Sequence, residues 1–568
     1  MNQSIFSSYK NLLKKSPMIR TVSWVFLLLC IIFLFRAVSH NVKRRPEIQG
    51  INPLIGAPGD VMEITGSGFG SSRGTSYVEI AGSKITSSAY KTWTDTKISF
   101  VLPSNVQDGL VMVGTSAGVS EPAFFANEVG IPVAVRMDPG SSVPVIASVS
   151  AESAVTGQVI TISGSNFGSA RGMSEVYFTA NRDEAVSFAE PNGSEKNTAF
   201  IAASEADFDY ISWNDSEIQV KVPDGAATGS YYIETNHGSS GTKKINITYP
   251  CGKKQYENKR TYVIQVAADI SNHVAAQEST ITLYVPKPAV SSFQPYGELN
   301  EVYPDPFIAD DPFDMIHKKQ LNQMPGSKER FSQTYVVSAY NIRNGINPLK
   351  VKAYREKSGA FYNRYTASDS CVQLENSALQ LLLDSIAGKE KNPYKEAKLI
   401  YDYFLKNYKV SGKVRTGDVS FYDLIRRKEG DAYDFAVLFT ALCRKAGIPA
   451  VPVAGILVQE QSAVTPHWWT EIYFEDYGWF PVDVALACGL EFKQFRPIEN
   501  VQDFYFGNLD CQHIAFSRGF HQIKQSSLNS KIVFRPRTYA LQSIWEEAGD
   551  ATSSYSSLWN NPIILGIY

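Results

Sequence analysis

Three short stretches in the second half of the chain decide its fold. They read GDAYDFA at 430–436, HWWTEIY at 467–473 and YGWFPVD at 477–483. The run LFTALCRKAGIPA at 438–450 lies between the first two, and FGNLD at 506–510 follows the third. Taken alone, a histidine before two tryptophans is a packing residue and an aspartate at a turn is a capping residue. It is their occurrence together, 16 residues apart, that indicates a functional arrangement.

These stretches together resemble the core of bacterial transglutaminase-like proteins, over about residues 370–525. The resemblance implies an α+β, papain-like fold in which cysteine, histidine and aspartate carry out acyl transfer or amide hydrolysis through a thioester. It also implies that the thiol opens a helix, that a histidine on one strand takes its proton and that an aspartate on the next strand orients the imidazole. By motif position these roles fall on Ala432, His467 and Asp483.

Position 432 departs from the family pattern, because the residue two places after Gly430 is alanine. A methyl group cannot attack a carbonyl, so the sequence predicts a pseudoenzyme in which His467 and Asp483 are vestiges of the triad. An active acyltransferase or cysteine protease would need a relocated thiol, for which Cys488 and Cys511 are the candidates. Cys443 is a poor candidate, since 11 residues along the same helix correspond to about 16 Å.

The first half of the chain contains an internal repeat. Six positions recur 98 residues later, Gly59, Gly66, Phe69, Gly70, Arg73 and Gly74 becoming Gly157, Gly164, Phe167, Gly168, Arg171 and Gly172. Four more recur 120 residues later, Trp93, Pro103, Gly109 and Gly118 becoming Trp213, Pro223, Gly229 and Gly238. Short alternating strands closed by glycine-rich turns predict two small β-sandwiches.

The repeats resemble IPT/TIG domains, which are similar to immunoglobulin folds, and we expect one at 47–135 and another at 143–250. The repeated tryptophans are expected in the two cores. The second copy carries an insertion between Phe178 and Ile211, which includes Asp207 and is expected to be a solvated loop.

The remaining segments complete a multidomain plan. Residues 251–365 are predicted to be a further β-rich segment and 526–568 a C-terminal tail. Apolar periodicity predicts helices at about 377–387 and 393–407.

The N-terminal region contains one apolar run. Residues 21–35 carry no charge, so we expect a transmembrane signal anchor at 21–38 behind a tail at 1–20. A signal peptide cleaved at 37–39 is the alternative. Basic residues balance on the two sides, so charge does not decide orientation. The domain types place the C-terminal portion outside the cytoplasm, in a periplasm or at a cell surface, as a single-pass membrane protein.

Composition limits the partners. Lys plus Arg number 54 against 56 Asp plus Glu, a net charge of −2, which disfavours binding to nucleic acid. The 7 histidines and 6 cysteines are dispersed, so we expect no metal site, no cofactor and no disulfide framework. The predicted function is binding or scaffolding in the cell envelope, with a protein, peptide or glycan ligand. A purely structural spacer is the other alternative.

Overall fold

The structure is a computed structural model that describes residues 17–18, 21, 24–26, 28–29, 45–103, 106–127, 143–182, 200–275, 279–304, 314–321, 328–417, 420–459, 463–525 and 529–568. The chain divides into two compact units, Met1–Val135 and Arg136–Tyr568. Among the described residues, no helix has both the length and the apolar character needed to cross a membrane. The predicted anchor at 21–38 lies largely outside the described residues, as does the tail at 1–20.

The first unit folds as a small β-sandwich. Its strands are β1 (Glu47–Asn52), β2 (Ile55–Gly56), β3 (Val61–Ser67), β4 (Tyr77–Ile80), β5 (Ser83–Lys84), β6 (Tyr90–Trp93), β7 (Lys97–Val101), β8 (Gly109–Thr115), β9 (Gly118–Val119) and β10 (Ala123–Asn127). One sheet has the order β1-β3-β7-β6 and the other β2-β10-β8-β4-β5, with β9 paired to β8. Alternate side chains of β3, Met62 and Ile64 among them, are fully buried, as expected for a strand with one face on the core.

The second sandwich repeats this topology strand for strand. Its strands are β11 (Val145–Val149), β12 (Ser153–Val155), β13 (Val159–Ser165), β14 (Glu175–Ala180), β15 (Phe200–Ala202), β16 (Tyr210–Trp213), β17 (Glu217–Lys221), β18 (Ala226–Thr235), β19 (Gly238–Ser239) and β20 (Lys243–Thr248). The sheets are β11-β13-β17-β16 and β12-β20-β18-β14-β15, with β19 on β18. The prediction of two immunoglobulin-like sandwiches is confirmed.

Two repeated glycines mark a close approach of chain segments. A Cβ on Gly66 would lie 2.0 Å from the carbonyl oxygen of Glu47. In the second copy, a Cβ on Gly164 would lie 2.0 Å from the carbonyl oxygen of Val145. Any side chain would push the first strand of each sandwich away from its neighbour, which explains why the repeat has glycine here.

The two repeated tryptophans lie at the edge of each core and not inside it, which corrects the expectation of burial. Trp93 and Trp213 are both partly exposed, because β6 and β16 are the outermost strands of their sheets. The indole N–H of Trp93 donates to the carbonyl of Phe69 at 3.0 Å, and that of Trp213 to the carbonyl of Phe167 at 2.9 Å. Each tryptophan therefore holds a glycine-rich loop against a sheet edge.

We expect Trp93→Phe to lower the free energy of unfolding of the first unit by about 1 kcal/mol, because ring packing is largely kept and one hydrogen bond is lost. Trp93→Ala should cost about 2 kcal/mol, less than the roughly 3 to 5 kcal/mol of a fully buried indole. Urea unfolding of residues 45–135, followed by circular dichroism, measures both. The control is Lys91→Ala on the same strand, expected within about 0.5 kcal/mol of wild type. Equal losses for Trp93→Phe and Lys91→Ala would refute a role for the indole N–H.

The rest of the second unit combines long antiparallel strands with helices. The strands are β21 (Gln255–Ala275), β22 (Ser279–Pro286), β23 (Tyr296–Tyr303), β24 (Asp314–Leu321), β25 (Lys328–Arg343), β26 (Lys409–Val410), β27 (Glu429–Gly430), β28 (Ala450–Val458), β29 (Val464–Phe474), β30 (Gly478–Val482), β31 (His513–Arg518), β32 (Lys531–Val533), β33 (Glu546–Ala548), β34 (Thr552–Trp559) and β35 (Ile563–Ile567). The α-helices are Ala360–Thr366, Ser377–Ala387, Pro393–Asn407, Phe421–Arg427, Ala432–Lys445, Val484–Ala487 and Val501–Phe504. A short 3-10 helix occurs at Pro348–Lys350, and another at Ser87–Ala89 in the first unit.

Three sheets organise this region. Their orders are β23-β25-β21-β34 with β35 also on β21, β24-β22-β33-β32, and β30-β29-β28-β31. The helix Ala432–Lys445, here called the central helix, packs on β28 and β29. The described part of the C-terminal tail expected at 526–568, residues 529–568, supplies β32 to β35 and thereby adds strands to the first two sheets. Strand partners so far away in sequence leave no local signal of their pairing.

The two helices predicted from apolar periodicity are confirmed at Ser377–Ala387 and Pro393–Asn407. Each begins at an asparagine whose side chain accepts a backbone N–H, Asn376 from Ala378 and Asn392 from Lys395. The buried positions of the second helix recur every three or four residues at Ala397, Ile400, Tyr401 and Phe404. That face packs on the same core as the central helix.

Buried charged contacts join the second sandwich to the core. Lys254 forms an ion pair with Asp224 and donates to the carbonyl of Trp479 at 2.7 Å. Asp207 accepts from the indole N–H of Trp479 at 3.0 Å and from Arg518 at 3.3 Å. The expectation of a solvated loop is therefore wrong for Asp207, because the returning end of the insertion lies against the core; residues 183–199 are outside the described part.

Candidate functional site

The central helix begins at Ala432, which is 5% exposed. Its N-cap is Asp431, whose carboxylate accepts from the backbone N–H of Asp434, while the carboxylate of Asp434 accepts from the N–H of Asp431. This reciprocal capping satisfies two backbone donors that the helix leaves unpaired, and the positive end of the helix dipole favours both carboxylates. The sequence GDAYD thus forms a helix start with two buried acids on either side of position 432.

An arginine from the C-terminal segment pairs with both acids at the start of this helix. Arg537 donates to both oxygens of Asp431, at 2.9 and 2.8 Å, and to Asp434 at 2.9 Å. Its guanidinium also lies 4.4 Å from the centre of the Tyr433 ring. Burial raises the pKa of Asp431 although Arg537 opposes the shift, and the pKa of Arg537 is raised because its two carboxylate partners outweigh its own burial.

His467 and Asp483 are in direct contact. His467 lies on β29, and Asp483 directly follows β30, the antiparallel neighbour of β29. The atoms His467 Nε2 and Asp483 Oδ2 are 2.5 Å apart, and Asp483 Oδ1 accepts from the N–H of Leu486 at 2.9 Å as the N-cap of a short helix. With Nε2 donating to the carboxylate, Nδ1 is the ring nitrogen left for a further partner.

The same carboxylate contacts a second histidine, which sequence reasoning missed. His513 Nε2 lies 3.1 Å from Asp483 Oδ2, and His513 Nδ1 lies 3.0 Å from Asp510 Oδ1. Asp510 Oδ2 in turn accepts from the hydroxyl of Tyr505 at 2.7 Å. The quoted FGNLD motif ends at Asp510, but only the pairing of β28 with both β29 and β31 brings His513 beside His467.

The protonation of this network follows from its geometry. Both nitrogens of His513 face carboxylate oxygens, so both act as donors and the ring is an imidazolium. Burial lowers the pKa of His513, but the carboxylates of Asp510 and Asp483 outweigh it and raise the pKa to about 9. Burial would raise the pKa of Asp483, but His467 and His513 hold it well below its usual range. The pKa of Asp510 is lowered despite its burial, chiefly by His513.

Three side chains of the network form a set of ligands that suits a metal ion. One atom each from His467, Asp483 and His513 lies within 4.8 Å of the others, and two imidazoles with one carboxylate suit Zn²⁺. Nε2 of His467 and Nε2 of His513 already lie at hydrogen-bond distance from Asp483 Oδ2, so a metal bound through these atoms would have to displace the protons between them. The expectation of no metal site rested on histidines dispersed in sequence, and it did not foresee that two of them meet.

The central helix starts beside the strand that carries His467. The Tyr433 ring lies 5.7 Å from the Trp468 ring, and these residues directly follow Ala432 and His467. Further along, the hydroxyl of Thr470 donates to the carbonyl of Ala436 at 3.0 Å. Trp469 instead contacts His513, with 5.2 Å between ring centres. The two tryptophans thus lie on opposite sides of β29, and both are fully buried.

Cys443, Cys488 and Cys511 are not in disulfides and are poorly suited to act as nucleophiles. Burial raises the pKa of Cys488 to about 12, with a further contribution from Asp483. Burial raises the pKa of Cys511 to about 11, with a further contribution from Asp510. Cys443 is completely buried and its pKa is raised as well. Because the thiolate is the attacking species, a raised pKa disfavours each of these thiols as a nucleophile near neutral pH.

Comparison with known families assigns three segments of the chain. Residues 46–125 and 144–250 match the IPT/TIG domain, and residues 380–484 match the transglutaminase-like superfamily. The protein therefore carries two IPT/TIG domains and a transglutaminase-like core. The second match contains position 432, His467 and Asp483.

Individual relatives match only parts of the chain. An uncharacterized protein from Haemophilus influenzae is 29% identical over 163 residues, covering 24% of this chain and 44% of the relative. A cyclomaltodextrin glucanotransferase from Niallia circulans is 33% identical over 98 residues, covering 17% of this chain and 13% of the relative. The periplasmic domain of TgpA from Pseudomonas aeruginosa aligns at 13% identity with a TM-score of 0.24, covering 42% of this chain and 88% of that structure. The chain thus spans less than half the length of these two curated relatives.

Proposed function

We propose that this chain is a membrane-anchored protein of the cell envelope whose transglutaminase-like domain has lost thiol chemistry and binds a protein, peptide or glycan. The observation that carries the proposal is Ala432. It stands at the first position of the central helix, where the family resemblance expects the nucleophile, and a methyl group forms no thioester.

The surroundings of His467 and Asp483 support a loss of chemistry. A proton-transfer pair must lie within reach of the substrate, yet His467 is 1% exposed and Asp483 is not exposed at all. Asp483 also contacts the His513 imidazolium, and Arg537 pairs with the two acids at the start of the central helix. These features favour a network that now stabilises the domain.

The two alternatives are weaker. A relocated thiol is disfavoured because burial keeps Cys488 and Cys511 protonated near neutral pH. A purely structural spacer does not account for the pocket lined by Lys259, Arg260, Arg343 and Arg496. The membrane anchor and the location outside the cytoplasm rest on the apolar run at 21–35 and on the domain types.

The test restores the thiol by Ala432→Cys. We expect the wild-type chain to show no transamidase, deamidase or peptidase turnover above background. In the variant, the new thiol should have a pKa below the free value of about 8.5, because the helix N-terminus and His467 favour the thiolate. Ultraviolet thiolate absorbance against pH measures this pKa without requiring access by a reagent.

The matched control is Ala436→Cys, one turn further along the same helix, whose thiol should titrate above the free value because it is buried away from the helix end. Adding His467→Ala to Ala432→Cys should raise the pKa of the thiol. If that pKa equals the free value and does not change when His467→Ala is added, position 432 does not face His467 and the assignment of the triad is wrong. Wild-type turnover that disappears when Cys488 or Cys511 is alkylated would establish a relocated nucleophile instead.

A further inference from the structure

A second candidate site is a pocket that Asp510 lines. It is a pocket of about 310 Å³, lined by β21 at 258–260, the end of β25 and the segments 494–498 and 510–512. Pockets that hold small molecules begin at about 300 Å³. The pocket is therefore large enough for a small ligand, and no residue of the helix start at position 432 lines it.

The wall of this pocket is cationic. Four of its lining residues are basic, namely Lys259, Arg260, Arg343 and Arg496. Lys259 and Arg496 have no ion-pair partner among the described residues, and Arg343 reaches Glu257 only at 3.8 Å. Several positive charges in a concave wall attract anions more strongly than the same charges on a convex surface.

The floor of the pocket does not cancel this charge. Asp510 is the acidic residue among the described lining residues, and both of its oxygens are already bound. Oδ1 accepts from His513 and from the N–H of Gln512, and Oδ2 accepts from the hydroxyl of Tyr505. The four basic side chains therefore outnumber the one carboxylate among the described lining residues.

Neutral polar side chains of the wall form hydrogen bonds with backbone groups of the same wall. Gln512 accepts from the N–H of Phe495 at 2.7 Å, and Asn341 accepts from the N–H of Cys511 at 2.7 Å. Aromatic rings support two of the arginines: Arg260 lies 5.4 Å from the centre of the Phe495 ring and Arg343 lies 4.9 Å from that of Phe504. A guanidinium held against a ring keeps its N–H edge available to an oxyanion.

We propose that this pocket binds a small ligand carrying two or more carboxylate or phosphate groups, held by Arg260, Arg343 and Arg496. Planar guanidinium groups pair with the two oxygens of a carboxylate or phosphate through parallel hydrogen bonds, which suits them to such ligands. This assignment names a chemical class for the ligand of the proposed binding function, but it uses residues separate from position 432.

The experiment is isothermal titration calorimetry of the full chain with citrate, inorganic pyrophosphate and glucose at constant ionic strength. We expect saturable binding of citrate or pyrophosphate and none of glucose. Arg343→Gln and Arg496→Gln should each weaken binding by about tenfold to a hundredfold, the usual effect of losing one charged hydrogen-bonding partner. The control Arg330→Gln removes an exposed arginine from the same strand as Arg343 and should bind as the wild type does.

Two results would overturn the proposal. One is the absence of saturable binding of both anions. The other is an equal loss of affinity in Arg330→Gln and Arg343→Gln, which would show attraction to the general surface charge. Ala432→Cys should bind the anions as the wild type does. Turnover by the wild-type chain would contradict the proposed loss of chemistry without bearing on anion binding, so the two proposals fail on different results.

Discussion

Arg537→Met should lower the free energy of unfolding of the second unit by about 3 to 5 kcal/mol, the usual cost of leaving a buried charge without its partner. The side chain of Arg537 is 3% exposed, and its partners Asp431 and Asp434 are 1% and 2% exposed. Arg415 keeps its ion pair with Asp434 in the variant, but its side chain is partly exposed. Its contact with Asp431 is a hydrogen bond from its backbone N–H. The variant therefore leaves the buried Asp431 carboxylate without a side-chain cation.

The matched control is Arg355→Met, which removes an exposed arginine paired with Glu475 and Asp476 and should cost at most about 1 kcal/mol. The double variant Asp431→Asn, Arg537→Met should be less destabilised than the sum of its two single variants, because the uncompensated charge is removed with its partner. Urea unfolding followed by tryptophan fluorescence measures all four. Additive losses would show that Arg537 acts through packing alone and that the helix start does not need its charge.

What could be predicted from sequence were the features encoded by nearby residues. The helices at 377–387 and 393–407 follow from apolar side chains spaced three or four apart, with a capping asparagine before each. The sandwiches follow from a repeat whose spacing is kept over blocks of the chain. The contact between His467 and Asp483 joins adjacent antiparallel strands 16 residues apart, so a local motif carries it.

What could not be predicted depends on partners distant in sequence. His513 reaches Asp483 only because β31 pairs with β28 on the side away from β29, and no spacing in the sequence reports that order. Arg537 lies in a segment without a motif, 106 residues after Asp431. The tryptophans of the repeat were placed in the cores because large aromatic rings are usually buried, whereas their strands prove to be edge strands.

The stability of the second unit should fall as the pH rises from about 6.5 to about 9, because His513 gives up its proton over this range. Its ordinary pKa is 6.5, and the carboxylates of Asp483 and Asp510 raise it to about 9 in the folded chain. A group whose folded pKa is raised contributes stability that is fully present below its unfolded pKa and is lost as the pH rises through the folded one. At about 1.4 kcal/mol per pKa unit, the loss is about 3 kcal/mol.

His513→Asn should remove this pH dependence, so the difference between the wild-type and variant profiles should shrink by about 3 kcal/mol across the range. Urea unfolding at a series of pH values measures it, and taking the difference cancels every titrating group that the substitution leaves in place. His237→Asn, which changes an exposed histidine of the second sandwich, should keep the wild-type profile. Repeating the series with and without a chelator shows whether a metal at His467, Asp483 and His513 contributes. Parallel profiles for wild type and His513→Asn would mean that His513 is neutral when folded, and that the carboxylates of Asp483 and Asp510 do not share an imidazolium.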